Sequence, residues 1–221
     1  MELSNQKPRI SILISGRGSN LQSFINACKT GELPAEICLV ASNNPNAAGL
    51  KLAQDIGIAT ACVDHRQFET REDFDRALLN KVQSAQPELV ILAGFMRILT
   101  PVFIQPFAGK LLNIHPSLLP KYRGLNTHQR ALDAGDSEAG VTVHFVTAEL
   151  DGGPSVLQSR VAIVPGDNAD TLANRILEQE HIIYPLVASW FLQGRLKLTQ
   201  DKVYFDGKAA PQQGIDYQTP Q

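Results

Sequence analysis

The chain has 221 residues, 43% of them hydrophobic and 19% charged, with a formal net charge of -2. That length supports one sizeable core, and the balance fits neither a basic nucleic-acid binder nor a disordered acidic tail. No apolar signal core opens "MELSNQKPRI", and no later stretch approaches the roughly 18 uncharged apolar residues of a membrane span, so a cytoplasmic protein without a membrane partner is expected.

In chain order, short β-rich runs alternate with helical patterns: "RISILIS", "NLQSFINACKTG", "AEICLVAS", "AAGLKLAQDIG", "IATACVD", "TREDFDRALLNKVQSAQ" and "ELVILAG". Alternation of this kind implies right-handed crossovers and a parallel sheet. The near-continuous apolar character of "ISILIS" and "LVILAG" agrees, because parallel strands are covered on both faces. After "KLLNIH" come two alternating runs, "GVTVHFVTAEL" and "PSVLQSRVAIV", joined through "DGG" and read as a hairpin added to the sheet. A long helix is expected over about Ala169 to Gln193, then a hairpin to Phe205. The fold class is α/β: an open, mostly parallel Rossmann-like sheet with helices on both faces and an antiparallel extension near the C-terminus. Residues 1–206 form one domain, and 207–221, which lack an apolar period, read as a flexible tail.

Ligands of open parallel sheets bind beyond the carboxyl ends of the strands, so those ends carry the chemistry. "SGRGSN", Ser15 to Asn20, sits between a strand and a helix with apolar residues at Leu21, Phe24, Ile25 and Cys28. Its glycines admit a ligand close to the backbone, and the helix N-terminus suits a phosphate. The simpler alternative is a tight turn capped by Ser19 or Asn20. The loop is not Walker A, and Leu21 stands where a dinucleotide fingerprint needs its third glycine, so a monophosphate is favoured over NAD.

In "LLNIHPSLLPKYRG", Asn113 and His115 lie two apart on one strand face, and Pro116 keeps His115 extended. Asn113 can offer donors to an oxyanion, and Asp151 at another strand end can orient an imidazole and favour its charged form. Together the three suggest acyl-group chemistry, although "DGG" alone is simply a turn. No nucleophile elbow accompanies them, so the substrate supplies the nucleophile. Cys28, Cys38 and Cys62 form no CxxC pair and read as reduced thiols, and no HExxH or close His pair exists, so no metal is expected. His65, His128 and His181 read as surface or helix residues. His144 reads either as packing or as support behind the site. Leu172, Ile176, Ile183, Val187 and Trp190 mark a helix stripe, with Glu180 either at its polar edge or pointing into the cleft. Arg71 opens a helix, and Arg97 in "AGFMRIL" could meet a flat ring with a carboxylate tail.

With these residues assembled, the chain resembles the folate-dependent phosphoribosylglycinamide formyltransferases of purine synthesis. "ISGRGSNLQ", "LAGFMRIL", "LLNIHPSLLPKY", "VHFVTAELDGGP" and "EQEHIIYPLV" carry the resemblance, which runs from about Arg9 to Phe205. It implies formyl transfer from the co-substrate 10-formyltetrahydrofolate to the amine of glycinamide ribonucleotide. It also implies a catalytic trio of Asn113, His115 and Asp151, and ribonucleotide contacts at Gly18, Ser19, Asn20 and Glu180. Folate contacts are implied at Arg71, Met96, Arg97, Ile98, Leu99 and Asn113, and along Thr147, Ala148, Glu149, Leu150 and Asp151. Small-molecule partners, no nucleic acid, and a monomer or weak homodimer are expected. Arg17 and Arg123 depart from the pattern at loop positions. Formyltetrahydrofolate deformylase, expected to have His-His where this chain has His115-Pro116, and a phosphate-binding sensor without chemistry are the alternatives.

Overall fold

A computed structural model describes residues 6–218. The first half of the chain contributes β1 (Arg9–Ile14), α1 (Ser19–Thr30), β2 (Glu36–Ser42), α2 (Ala48–Asp55), β3 (Thr60–Cys62), α3 (Arg71–Ser84), β4 (Leu89–Leu92) and α4 (Pro101–Ile104). The second half adds β5 (Leu111–His115), α5 (Thr127–Asp133), β6 (Glu138–Phe145), β7 (Ser155–Ala162), α6 (Ala169–Leu192), β8 (Leu196–Thr199), β9 (Lys202–Phe205), β10 (Lys208–Ala209) and β11 (Ile215–Asp216). The main sheet has the order β11-β7-β6-β5-β4-β1-β2-β3, and β10-β9-β8 form a separate small sheet. From β3 to β5 every pairing is parallel, whereas β6 runs antiparallel to both β5 and β7. This is the expected mostly parallel sheet with an antiparallel extension.

Alternation along each strand divides the interior in two. Ile10, Ile12 and Ile14 of β1 and Leu89 and Ile91 of β4 join the core under α1, α2 and α6, while Leu13, Val90 and Leu92 join the core under α3 and α4. A strand covered on both faces has no polar side to show, which is why its sequence lacks alternation. Each fully buried large side chain, such as Phe24, Phe74 or Phe103, contributes roughly 1.5–3 kcal/mol of burial energy. The long helix begins at a capping box, in which Asn168 Oδ1 accepts from the Thr171 N–H and Thr171 Oγ1 accepts from the Asn168 N–H. Its expected stripe holds: Leu172, Ile176, Ile183 and Val187 are fully buried, and Trp190 packs on Phe205 at a ring separation of 4.4 Å.

Residues 207–218 are not a loose tail. Lys208 and Ala209 pair with β9, and Ile215 and Asp216 pair in parallel with Leu157 and Gln158 of β7. The Tyr217 N–H also donates to the Gln158 carbonyl at 2.7 Å. These strands are two residues each, too short to show a period in sequence, and β11 covers an edge of the main sheet that would otherwise stand open. Residues 219–221 of the expected tail lie outside the described residues.

Candidate active site

Strands β1, β4 and β5 lie side by side and parallel, so their carboxyl ends open on one edge. Only β4 separates β1 from β5, which places those two ends roughly 10 Å apart at normal strand spacing. The chain order reverses between β1 and β4, the place where such sheets hold their ligands. The glycine loop leaves β1 there. Gly18 has φ 82° and is itself the N-cap of α1, without a side-chain cap bond, so neither Ser19 nor Asn20 caps the helix as the simpler alternative had it. A Cβ at Gly18 would stand 3.0 Å from the Cα of Gly49 in α2. Both the left-handed backbone and this close approach therefore require glycine. The first amides of α1 are left free of side-chain caps at the positive end of the helix dipole.

Asn20 lies in the first turn of α1, where Nδ2 donates to Glu180 Oε2 of α6 at 2.7 Å. Both side chains are buried, and Asn20 Oδ1 has no partner. Glu180 therefore does not sit at the polar edge of its stripe. Burial pushes its carboxyl pKa up, and the Asn20 hydrogen bond opposes that shift. A buried acceptor without a partner beside a buried carboxyl is an arrangement that a polar ligand completes.

At the end of β5 the structure brings the expected trio together. His115 is buried; its Nε2 faces the Tyr122 carbonyl at 3.0 Å and its Nδ1 faces Asp151 Oδ2 at 3.4 Å. Two acceptors flank one ring, and only the imidazolium has a proton for each. Asp151, in the turn between β6 and β7 at φ 47°, also accepts the Gly124 N–H through Oδ2 at 2.9 Å. A Cβ on Gly153 would run into the Phe145 carbonyl, so glycine at that position lets the turn fold back toward β5.

Asn113 owes its orientation to strand register. It pairs across the sheet with His144 of β6, whose Nε2 lies 3.1 Å from Asn113 Nδ2. His144 Nδ1 stands 2.8 Å from the Phe145 carbonyl, so that nitrogen carries the proton and Nε2 accepts from the amide. One Nδ2 hydrogen is thereby fixed on His144, and among the described residues the other has no acceptor. His144 is thus both packed in the sheet and bonded to Asn113.

Burial pushes the His144 imidazole down to about 4 from an ordinary 6.5, against the Phe145 carbonyl and Asp151, which favour its charged form. The folded protein keeps this ring neutral while the unfolded chain protonates it below about 6.5. Stability is accordingly expected to fall by about 3 kcal/mol as pH drops from 6.5 to 4. The check is the urea midpoint at pH 7 and pH 4.5 for the parent and His144→Gln. The variant should lose less on acidification, and equal losses would count against the assignment.

The expected folate positions divide by exposure. Met96 is 71% and Ile98 51% exposed, whereas Leu99 is 6% exposed and packed in the core. Leu99 can therefore meet a ligand only through its backbone. The Arg97 guanidinium lies 6.0 Å above the Phe74 ring, and Arg71 is the exposed first residue of α3. Thr147 to Leu150 form the turn that leads to Asp151, with Glu149 ion-paired to Arg123. A cavity of about 1140 Å³ adjoins this turn, lined by Thr147, Glu149, Asp151, Lys202 and Gln212 among others. Residues 209–213 thus wall the neighbourhood of Asp151, a contribution that sequence reading missed.

Among the described residues no group of three or more His, Cys, Asp or Glu is placed to hold a metal. His65 is not a simple surface residue: its Nδ1 lies 3.0 Å from the Asn43 carbonyl. His128 and His181 sit on helices with their Nε2 atoms buried and unpartnered. No helix among the described residues is long and apolar enough to cross a membrane.

Comparison with known proteins agrees with this geometry. Residues 8–188 match the family model described as "Formyl transferase". The phosphoribosylglycinamide formyltransferase of Escherichia coli is 52% identical over 205 residues, covering 93% of this chain and 97% of that one. The enzyme of the same name from Haemophilus influenzae is 52% identical over 206 residues, with the same coverage. The solved structure of phosphoribosylglycinamide formyltransferase from Coxiella burnetii, in complex with CHES, superposes with a TM-score of 0.93 at 47% identity, covering 96% of this chain and all of that one. Since the matched region runs from the start of β1 through most of α6 and takes in the glycine loop, Asn113, His115, Asp151 and Glu180, the chain belongs to the formyl transferase family.

Proposed function

We propose that this chain is a cytoplasmic enzyme that transfers the formyl group of 10-formyltetrahydrofolate to the amine of glycinamide ribonucleotide in purine biosynthesis. The observation that carries this reading is the meeting of Asn113, His115 and Asp151 one strand away from the glycine loop, in a chain 52% identical to enzymes of that name. The ribonucleotide phosphate takes the free amides of α1 beyond Gly18 and Ser19. Glu180 and Asn20 take its hydroxyl or amine hydrogens. The folate ring lies along Met96 to Leu99 and the turn from Thr147 to Asp151, with Arg71 and Arg97 toward its carboxylate tail.

The amine attacks the formyl carbon, and negative charge builds on the formyl oxygen. The free Nδ2 hydrogen of Asn113 meets that charge, and His115 exchanges its Tyr122 carbonyl for the more strongly accepting oxyanion. Asp151 stays on Nδ1 and holds the ring in place. The proton lost by the amine ends on N10 as the carbon–nitrogen bond to the folate breaks. Binding the phosphate fixes the position of the amine and supplies remote binding energy.

Incubating the purified protein with 10-formyltetrahydrofolate, with and without glycinamide ribonucleotide, tests the reading. Formylated ribonucleotide is the expected product; folate deformylation indifferent to the ribonucleotide would make it a hydrolase, and binding without turnover a sensor. Glu180→Gln should raise KM for the ribonucleotide by about 10- to 100-fold with a smaller change in kcat, the value of a charged hydrogen bond to substrate. An unchanged KM would remove Glu180 from the ribonucleotide site.

A further inference from the structure

The two half-sites are joined by one hydroxyl. Ser15, the last residue before the glycine loop, accepts the Met96 N–H through Oγ at 2.7 Å and donates to Asn43 Oδ1 at 2.5 Å. Its own N–H donates to the Gly94 carbonyl at 3.2 Å, and its carbonyl accepts from Asn44 Nδ2 at 3.2 Å. A single residue at the end of β1 is thus tied to the segments that leave β2 and β4. Outward from the carboxamide, His65 Nδ1 faces the Asn43 backbone carbonyl at 3.0 Å. The His65 ring packs edge-on to Phe74, with centroids 6.4 Å apart, and Phe74 lies beneath the Arg97 guanidinium. The segment containing Met96 and Arg97 is therefore held at its backbone by Ser15, and the Arg97 guanidinium stands over the Phe74 ring. Asn43 is buried, so its carboxamide cannot exchange Ser15 for water without cost.

We propose that Ser15 is a positioning residue that couples the two substrates. Gly16, Arg17 and Gly18 follow it directly, so ordering the glycine loop around a phosphate fixes the Ser15 backbone. The fixed hydroxyl then holds the Met96 N–H and with it the platform expected to receive the folate ring. Occupation of the ribonucleotide half-site would tighten folate binding, and by linkage the folate would tighten ribonucleotide binding by the same factor. This inference rests on the ligand assignment proposed above.

The experiment measures the affinity of 5-formyltetrahydrofolate, an isomer that does not donate its formyl group, by calorimetry with and without saturating glycinamide ribonucleotide. It uses the full chain and its Ser15→Ala, Ser15→Thr and Asn43→Ala variants. In the parent the ribonucleotide should tighten folate binding by about 5-fold or more. Ser15→Ala and Asn43→Ala should each lose at least half of that factor, and Ser15→Thr, which keeps the hydroxyl, should retain it. Asn43→Ala cuts the same bond from the other side, so the inference remains testable even where Ser15→Ala does not fold. A parent without coupling, alanine variants that keep more than half of it, or a threonine variant that loses it would overturn the proposal. Absence of formyl transfer by the parent would instead overturn the function on which it rests.

Discussion

Asn113→Ala and His115→Ala are each expected to lower kcat by about 10²- to 10⁴-fold, the range for loss of an oxyanion donor or a general acid. Substrate affinity should change much less, because the glycine loop, Glu180 and the Met96–Leu99 segment are built on other elements. The structural cost differs between the two. Removing the Asn113 amide strips His144 Nε2 of its donor inside a buried pocket, a loss of about 1–3 kcal/mol. Removing the His115 ring leaves Asp151 with the Gly124 N–H and, at 4.0 Å, His144 Nε2 beside it. Both losses are smaller than the total stability of an ordinary domain, so folded protein should be recovered and kinetics can be read. The double variant should be little worse than either single variant, since groups that act on one transition state do not contribute additively. Steady-state kcat and KM for both substrates, with far-ultraviolet dichroism as the control for folding, decide the matter. Near-normal turnover in both single variants would end the assigned roles.

The order of strands and helices through β4, and the strands β5 to β7, was legible because these elements carry a strong local signal: unbroken apolar runs for the buried parallel strands, and an amphipathic period for α1 and α3; the short helices α4 and α5 carry no such signal and were not expected. The site was legible for a related reason. At strand ends and in the turns beyond them, polar residues such as Asn113, His115 and Asp151 stand out against apolar neighbours. What the sequence could not provide was register. That His144 faces Asn113 depends on the pairing of β5 with β6 across a connection that includes α5, and nothing local records that pairing. The Ser15 network has the same character, since Ser15, Asn43 and Met96 come from the ends of three separate strands and no local pattern links them. Gly18 as N-cap was hidden by its neighbours, since Ser19 and Asn20 are better capping residues by chemistry; the close approach of Gly49 decided the conformation. The short strands β10 and β11 owe their order to the edge they pair with rather than to their own composition.

Asp151→Asn is expected to reduce kcat by about 10²- to 10⁴-fold while the fold stays intact, and it separates charge from geometry. Asp151 sits at φ 47°, a backbone region that asparagine tolerates nearly as well as aspartate. An amide oxygen in the place of Oδ2 can still accept the Gly124 N–H and can still face His115 Nδ1. What disappears is the negative charge that faces His115 Nδ1. Without it the ring loses its charged partner on Nδ1 and meets the formyl oxygen as a weaker donor. Asp151→Ala should lose as much turnover and additionally strain the turn, because alanine gains nothing from a left-handed backbone; about 1 kcal/mol of lower stability is expected from that source. Comparing the two variants by urea unfolding and by kcat therefore resolves the roles of the residue. Equal turnover in Asp151→Asn and the parent would mean that hydrogen bonding alone suffices and that the charge on Asp151 is not part of the chemistry.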